Sequence, residues 1–89
     1  MQTFVDDDAG YLGWIARNPD GFVLNTERKP TRAYLVLHRA TCHTISGVPA
    51  RGDRWTDYYH KICGNRSELE QWARREVQGE PRLCPRCNP

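Results

Sequence analysis

Leu83-Cys84-Pro85-Arg86-Cys87, residues 83–87, is the stretch on which the architecture turns. Two residues between the cysteines let both sulfurs point at one metal ion while the backbone between them reverses. The chain has two other cysteines, Cys42 and Cys63, each expected at or just past the end of a strand. Twenty residues lie between Cys42 and Cys63 and 20 between Cys63 and Cys84, enough for a hairpin and then a helix to return to one point. The expectation is a tetrahedral four-cysteine site of Cys42, Cys63, Cys84 and Cys87, in which one structural Zn2+ pins the carboxyl-terminal knuckle onto a sheet. Four thiolates leave no position for water, so the metal would supply folding energy rather than chemistry.

Alternatives attend this assignment. His38, His43 and His60 can each replace a cysteine in such a shell, and His43 adjoins Cys42. Neighbouring residues on a strand or loop point apart, which weighs against His43. Free thiols and disulfides are the other states open to four cysteines. A redox dithiol at Cys84 and Cys87 is disfavoured, because that chemistry places the pair at the start of a helix and none follows here.

A staple is needed on grounds of size. At 89 residues a chain buries only about 60% of the surface its unfolded form exposes, so an apolar core alone is marginal. Hydrophobic residues make up 38% and charged residues 27%, and no apolar run approaches the roughly 20 residues that a bilayer requires. Met1 to Asp8 ends in three aspartates and has neither a basic start nor an apolar stretch, so it does not read as a secretory signal. The expected setting is the reducing cytoplasm, without membrane association, where cysteines are metal ligands more often than disulfides.

The remaining signals give one domain over residues 1–89, of α+β class, with a small antiparallel sheet of about three strands and two helices. Asp8 can cap a helix over residues 9–17, with Tyr11, Leu12, Trp14 and Ile15 on one side. Asn18-Pro19-Asp20-Gly21 is a turn, followed by strands over 22–25 and 33–39. Residues 44–54 read as a loop, and residues 55–63 alternate as a half-exposed strand does. Ser67 and Glu70 form a candidate capping box for a helix to about Val77, with Leu69, Trp72, Ala73 and Val77 as its buried stripe.

Net charge is only +2, but its distribution is uneven. Residues 21–66 hold eight basic side chains against Glu27, Asp53 and Asp57, a balance of +5. Arg51, Arg54 and Lys61 interleave there with Trp55 and Tyr58, and Arg39 precedes them. Cations meet phosphates and aromatic rings stack on bases, so these six residues are the candidate DNA-binding set. A solvated basic surface with Trp55 and Tyr58 in the core would give the same pattern.

Gly10-Tyr11-Leu12-Gly13-Trp14, residues 18–25, Leu37-His38-Arg39-Ala40-Thr41-Cys42 and Tyr59-His60-Lys61-Ile62-Cys63, followed by a Glu-Leu-x-x-Trp helix and the final Cys-x-x-Cys, span nearly the whole chain. Together they resemble a small actinobacterial cysteine-containing module found alone or joined to restriction nucleases of the HNH class. The resemblance implies a DNA-binding accessory domain that senses modified, for example methylated, bases in restriction or defence, with a nuclease as partner or fused domain. No HNH core is visible in the chain. The alternative is a protein-interaction module anchored by Trp14 or Trp55. A small hydrolase using Asp53, Asp57, His38 or His60 is a third reading, disfavoured because isolated acids and histidines are usually structural, so the expectation is a protein that is not an enzyme.

Overall fold

The computed structural model describes residues 1–46 and 54–89. Arg51 and Asp53 lie outside the described residues, as does most of the expected 44–54 loop. The described elements are β1 (Gln2–Phe4), α1 (Asp8–Arg17), β2 (Phe22–Glu27), β3 (Leu35–Arg39), α2 (His43–Ser46), β4 (Tyr59–Gly64), α3 (Arg66–Val77) and β5 (Arg82–Leu83). The strands form one sheet in the order β1-β4-β2-β3-β5, antiparallel except where β5 runs parallel to β3. The α+β class is as expected, but the sheet has five strands rather than about three, and α2 is a third helix. The added strands are edge strands of three and two residues, too short to show any periodicity.

Alternation along the strands divides the apolar residues between two faces. Leu24, Leu35, Leu37 and Ile62 point to one face and bury themselves against Leu69 and Ala73 of α3. Val23, Val36 and Cys63 point to the other, where Tyr11 and Ile15 of α1 and Ile45 of α2 cover them. Because β4 pairs on both sides and is covered on both faces, it is not the half-exposed strand its alternation suggested: Lys61, Ile62 and Cys63 are all buried.

Both long helices are capped slightly upstream of the expected positions. Asp7, not Asp8, caps α1, accepting from the Gly10 N–H at 2.9 Å. In α3 the capping box is Asn65 with Glu68: the Glu68 N–H donates to Asn65 Oδ1 at 2.8 Å, and the Asn65 N–H donates to Glu68 Oε1 at 2.9 Å. Ser67 with Glu70 offered the same residue pattern two positions later, but β4 runs on to Gly64 and leaves Asn65 as the first residue free to cap. The freed Asp8 carboxylate instead accepts from the Thr56 N–H at 2.8 Å and the Thr56 hydroxyl at 2.6 Å, tying α1 to the segment that leads into β4.

Candidate metal centre

Strand pairing assembles the centre. Cys63 on β4 lies opposite Val23 on β2, and Val23 lies opposite His38 on β3, so all three share one face. On the far side of β3, the parallel pairing of β5 sets Val36 beside Arg82 and Leu37 beside Leu83, and the Cys84 N–H donates to the Leu37 carbonyl at 3.0 Å. Cys84 is thereby delivered next to His38. The chain leaving β3 turns at once, with the Cys42 N–H donating to the Arg39 carbonyl at 3.0 Å, and brings Cys42 back over the same place. Cys87 arrives from the knuckle.

The potential ligand atoms of His38, Cys42, Cys84 and Cys87 all lie within 4.8 Å of one another. The Cys42 and Cys84 sulfurs are 3.9 Å apart. A tetrahedron with metal–sulfur bonds of about 2.3 Å has an edge of about 3.8 Å, so this separation suits a shared ion without rearrangement. Backbone amides support the sulfurs: the Arg86 N–H donates to Cys84 Sγ at 3.4 Å and the Arg39 N–H to Cys87 Sγ at 3.3 Å. The Thr44 hydroxyl lies 3.0 Å from Cys42 Sγ and 3.4 Å from His38 Nδ1, a contact of the kind that fixes the orientation of metal ligands.

The protonation states fit ligation. Burial, with the Lys61 charge adding to it, pushes the His38 pKa down to about 4, so the imidazole is neutral and free to donate an electron pair. Burial raises the Cys84 thiol, but amide bonds from Arg86 and Cys87 and the neighbouring thiols outweigh it and hold that pKa below the usual range. Burial, together with the charge of Cys42, pushes Cys87 up to about 12. Thiols crowded this closely resist becoming thiolates together, and a cation among them removes that resistance.

Cys63 takes no part in this group. It sits two strands from His38, about 10 Å across the sheet, fully buried in the core, where burial pushes its pKa up to about 12. His38 stands in the place that the spacing argument gave to Cys63. The signal for it was present in the sequence: a histidine within an otherwise apolar strand, four residues before Cys42. His43, exposed at the start of α2, and His60 on β4 lie outside the group.

Among the described residues, the candidate DNA-binding side chains do not come together as one surface. Lys61 is 4% exposed and its ammonium donates to Asn25 Oδ1 at 2.6 Å, so it cannot reach a phosphate. Trp55 is half-buried against the α1 face of the core, and its N–H donates to Asp8 Oδ1 at 3.3 Å. Arg54 is exposed and paired with Asp57 at 3.3 Å. Tyr58 is 77% exposed. Arg39 lies at the other end of the strands, about 16 Å along β2 from the level of Tyr59, and its guanidinium donates to the carbonyls of Cys87 and Asn88 at 3.0 and 2.9 Å. Of the groups in the hydrolase reading, Asp57 is held by Arg54 and by the Tyr58 N–H. No helix among the described residues is long and apolar enough to cross a membrane.

Compared with known proteins, the chain matches no family model, no curated protein and no solved structure.

Proposed function

We propose that this chain is a non-catalytic DNA-binding module built around one structural zinc ion held by His38, Cys42, Cys84 and Cys87. The observation that carries the zinc part of the proposal is the convergence of those four donor groups within 4.8 Å, three of them buried. Three sulfurs and one imidazole are a donor set of zinc rather than of calcium, magnesium or manganese, which take oxygen. With four protein ligands the shell is closed, so the ion would fix the geometry of β3, α2 and the knuckle rather than activate a water.

Protein purified from cells is expected to contain about one zinc per chain. Cobalt substitution should give the ligand-field spectrum of a tetrahedral site with three sulfurs and one nitrogen. Cys63→Ser should keep both the stoichiometry and that spectrum, whereas His38→Ala should lose the metal or change the spectrum. If Cys63→Ser abolished metal binding and His38→Ala did not, the assignment of ligands would be overturned.

DNA as the partner is supported by the resemblance of the chain's strings to a module associated with HNH-class nucleases and by the basic excess of residues 21–66, although Lys61 there is buried and Arg28, Arg54 and Arg66 are ion-paired. The finer reading, recognition of a modified base beside a nuclease partner, rests on that resemblance. Binding of plain against cytosine-methylated duplex tests it, with equal affinity for both removing the modified-base reading.

A further inference from the structure

The two edges of the sheet differ in charge: carboxylates follow β1, Asp6 among them paired with Arg28 at 3.0 Å, whereas arginines line β5. β1 forms one edge and leads directly into Asp6, Asp7 and Asp8; β5 forms the other, about 19 Å away across four strand spacings. Along the β5 edge and its knuckle lie Arg32, Arg39, Arg82 and Arg86, all exposed. None of the four is within salt-bridge distance of a carboxylate among the described residues. Glu80, which shares a small cleft with Arg32 and Arg82, is occupied by Arg74 at 2.7 Å.

Packing sets this spacing. Gly79 lets the connection from α3 pass so close to Arg32 that an added Cβ would lie 2.7 Å from the Arg32 Cβ, which brings β5 and Arg82 alongside. Parallel pairing then carries the chain along β3 to Arg86, in the knuckle, and to Arg39, whose side chain is fixed on the knuckle carbonyls. A zinc ion with three thiolates and a neutral imidazole nets one negative charge, buried beneath the strip, and leaves the four arginines in excess.

We infer that this strip of Arg32, Arg39, Arg82 and Arg86 is the surface that binds nucleic acid, and that its ligand is the phosphate backbone of duplex DNA. The inference rests on the DNA part of the function proposed above and moves it from the Trp55 to Lys61 segment to the zinc edge. Guanidinium forks match phosphate oxygens, and a row of arginines without carboxylate partners among the described residues is the electrostatic footprint of a polyanion. Duplex is favoured over single strands because single-strand sites need aromatic platforms for the bases. Tyr34, the aromatic residue lining the cleft with Arg32 and Arg82, is stacked on Tyr59 at 5.3 Å between ring centroids and is not available to a base.

The test is a fluorescence-anisotropy titration of zinc-loaded protein with a labelled duplex of about 20 base pairs at 50 and 200 mM KCl. Four phosphate contacts give a log–log salt slope of roughly −3 to −4, a loss of about a hundredfold over that range. Arg82→Ala with Arg86→Ala should weaken binding at least about tenfold and flatten the slope by roughly two. Arg17→Ala and Arg54→Ala, away from the strip, should leave both unchanged, and retained zinc content establishes that each variant is folded. Absence of a shift at tens of micromolar protein in 50 mM salt would overturn the inference. An equal loss with the Arg17 or Arg54 variants would also overturn it, as would tighter binding to single strands or to phosphatidylserine vesicles than to duplex. Zinc content and cobalt spectra read the metal centre separately, so failure of this surface and failure of the zinc assignment are distinguishable.

Discussion

The two faces of the sheet solve the same problem by different means. On the α3 face Leu24, Leu35, Leu37, Ile62, Leu69 and Ala73 form an apolar cluster, with Thr26 buried on the same face beside Leu24. The α1 face also carries Val23, Val36, Tyr11 and Ile15, but among them it buries Asn25, Lys61, His38 and three cysteines. Polar groups taken out of water there have partners: the Lys61 ammonium has Asn25, the Tyr11 hydroxyl donates to the Ile45 carbonyl, and the His38 imidazole lies among the sulfurs of Cys42, Cys84 and Cys87. A small domain with few aliphatic residues has one largely apolar core and places in the other a cluster of three cysteines and a histidine that could hold a metal ion.

If that contrast is right, the largest effect comes from the metal. Apparent zinc-binding free energies of about 10–16 kcal/mol match or exceed the whole stability of about 5–15 kcal/mol typical of a domain. Chelation at neutral pH, or Cys84→Ser, should therefore unfold the chain cooperatively, seen as loss of far-UV circular dichroism and of amide protection in β3 and β5. A chelated protein that kept native dichroism and protection would show that the apolar face suffices.

The next effect tests the apolar face. Leu69 is fully buried at its centre, and Leu69→Ala should cost about 2–5 kcal/mol in denaturant melts of the zinc-loaded protein. Trp72, central in the stripe expected from the sequence, is only half-buried at the margin of this cluster, so Trp72→Ala should cost less than Leu69→Ala. The reverse order would mean that α3 is rotated about its axis. Removal of its cap by Asn65→Ala should cost about 1 kcal/mol, read in the same melts.

Much of this contrast was legible in the residues, and the rest was not for a definite reason. The central strands, α1 and α3 follow from local signals: apolar alternation, the Asn18 to Gly21 turn and helical spacing. Cys84 with Cys87 is equally local, and Cys42 falls where a strand has to end. The fourth donor group of the cluster is not local. Whether His38 or Cys63 faces the knuckle depends on β5 adding in parallel beside β3 rather than near β4, a pairing made by two residues and set by the path of the chain after α3. The basic edge was hidden for the same reason, since Arg32, Arg39, Arg82 and Arg86 are scattered over 55 positions and meet only through that pairing. Charge counted by segment drew attention to Lys61, which the sheet buries.

Lys61 gives the smallest effect and the sharpest test of how the α1 face is built. Burial depresses its pKa to about 8 from an ordinary 10.5, against the opposing pull of Cys63, Asp8 and Asp57. The rings of Tyr11 and Tyr59 lie 5.9 and 5.8 Å from the ammonium, and Asn25 accepts its hydrogen bond. Between those two pKa values the unfolded chain holds a proton that the folded chain has released, so stability rises with pH. From pH 8 to 9 this contribution is about 1 kcal/mol. Cys63 acts in the opposite sense: its folded pKa of about 12 lies above the ordinary 9.0, so the folded chain keeps a proton that the unfolded chain loses as pH rises through 9. Comparison with Lys61→Met separates the two, because Cys63, His38 and the other cysteines are common to both proteins. Wild-type stability minus variant stability, from denaturant melts at pH 8 and pH 9, should increase by about 1 kcal/mol. A difference that stays flat would mean that the ammonium reaches water in solution. The α1 face would then be open at Lys61.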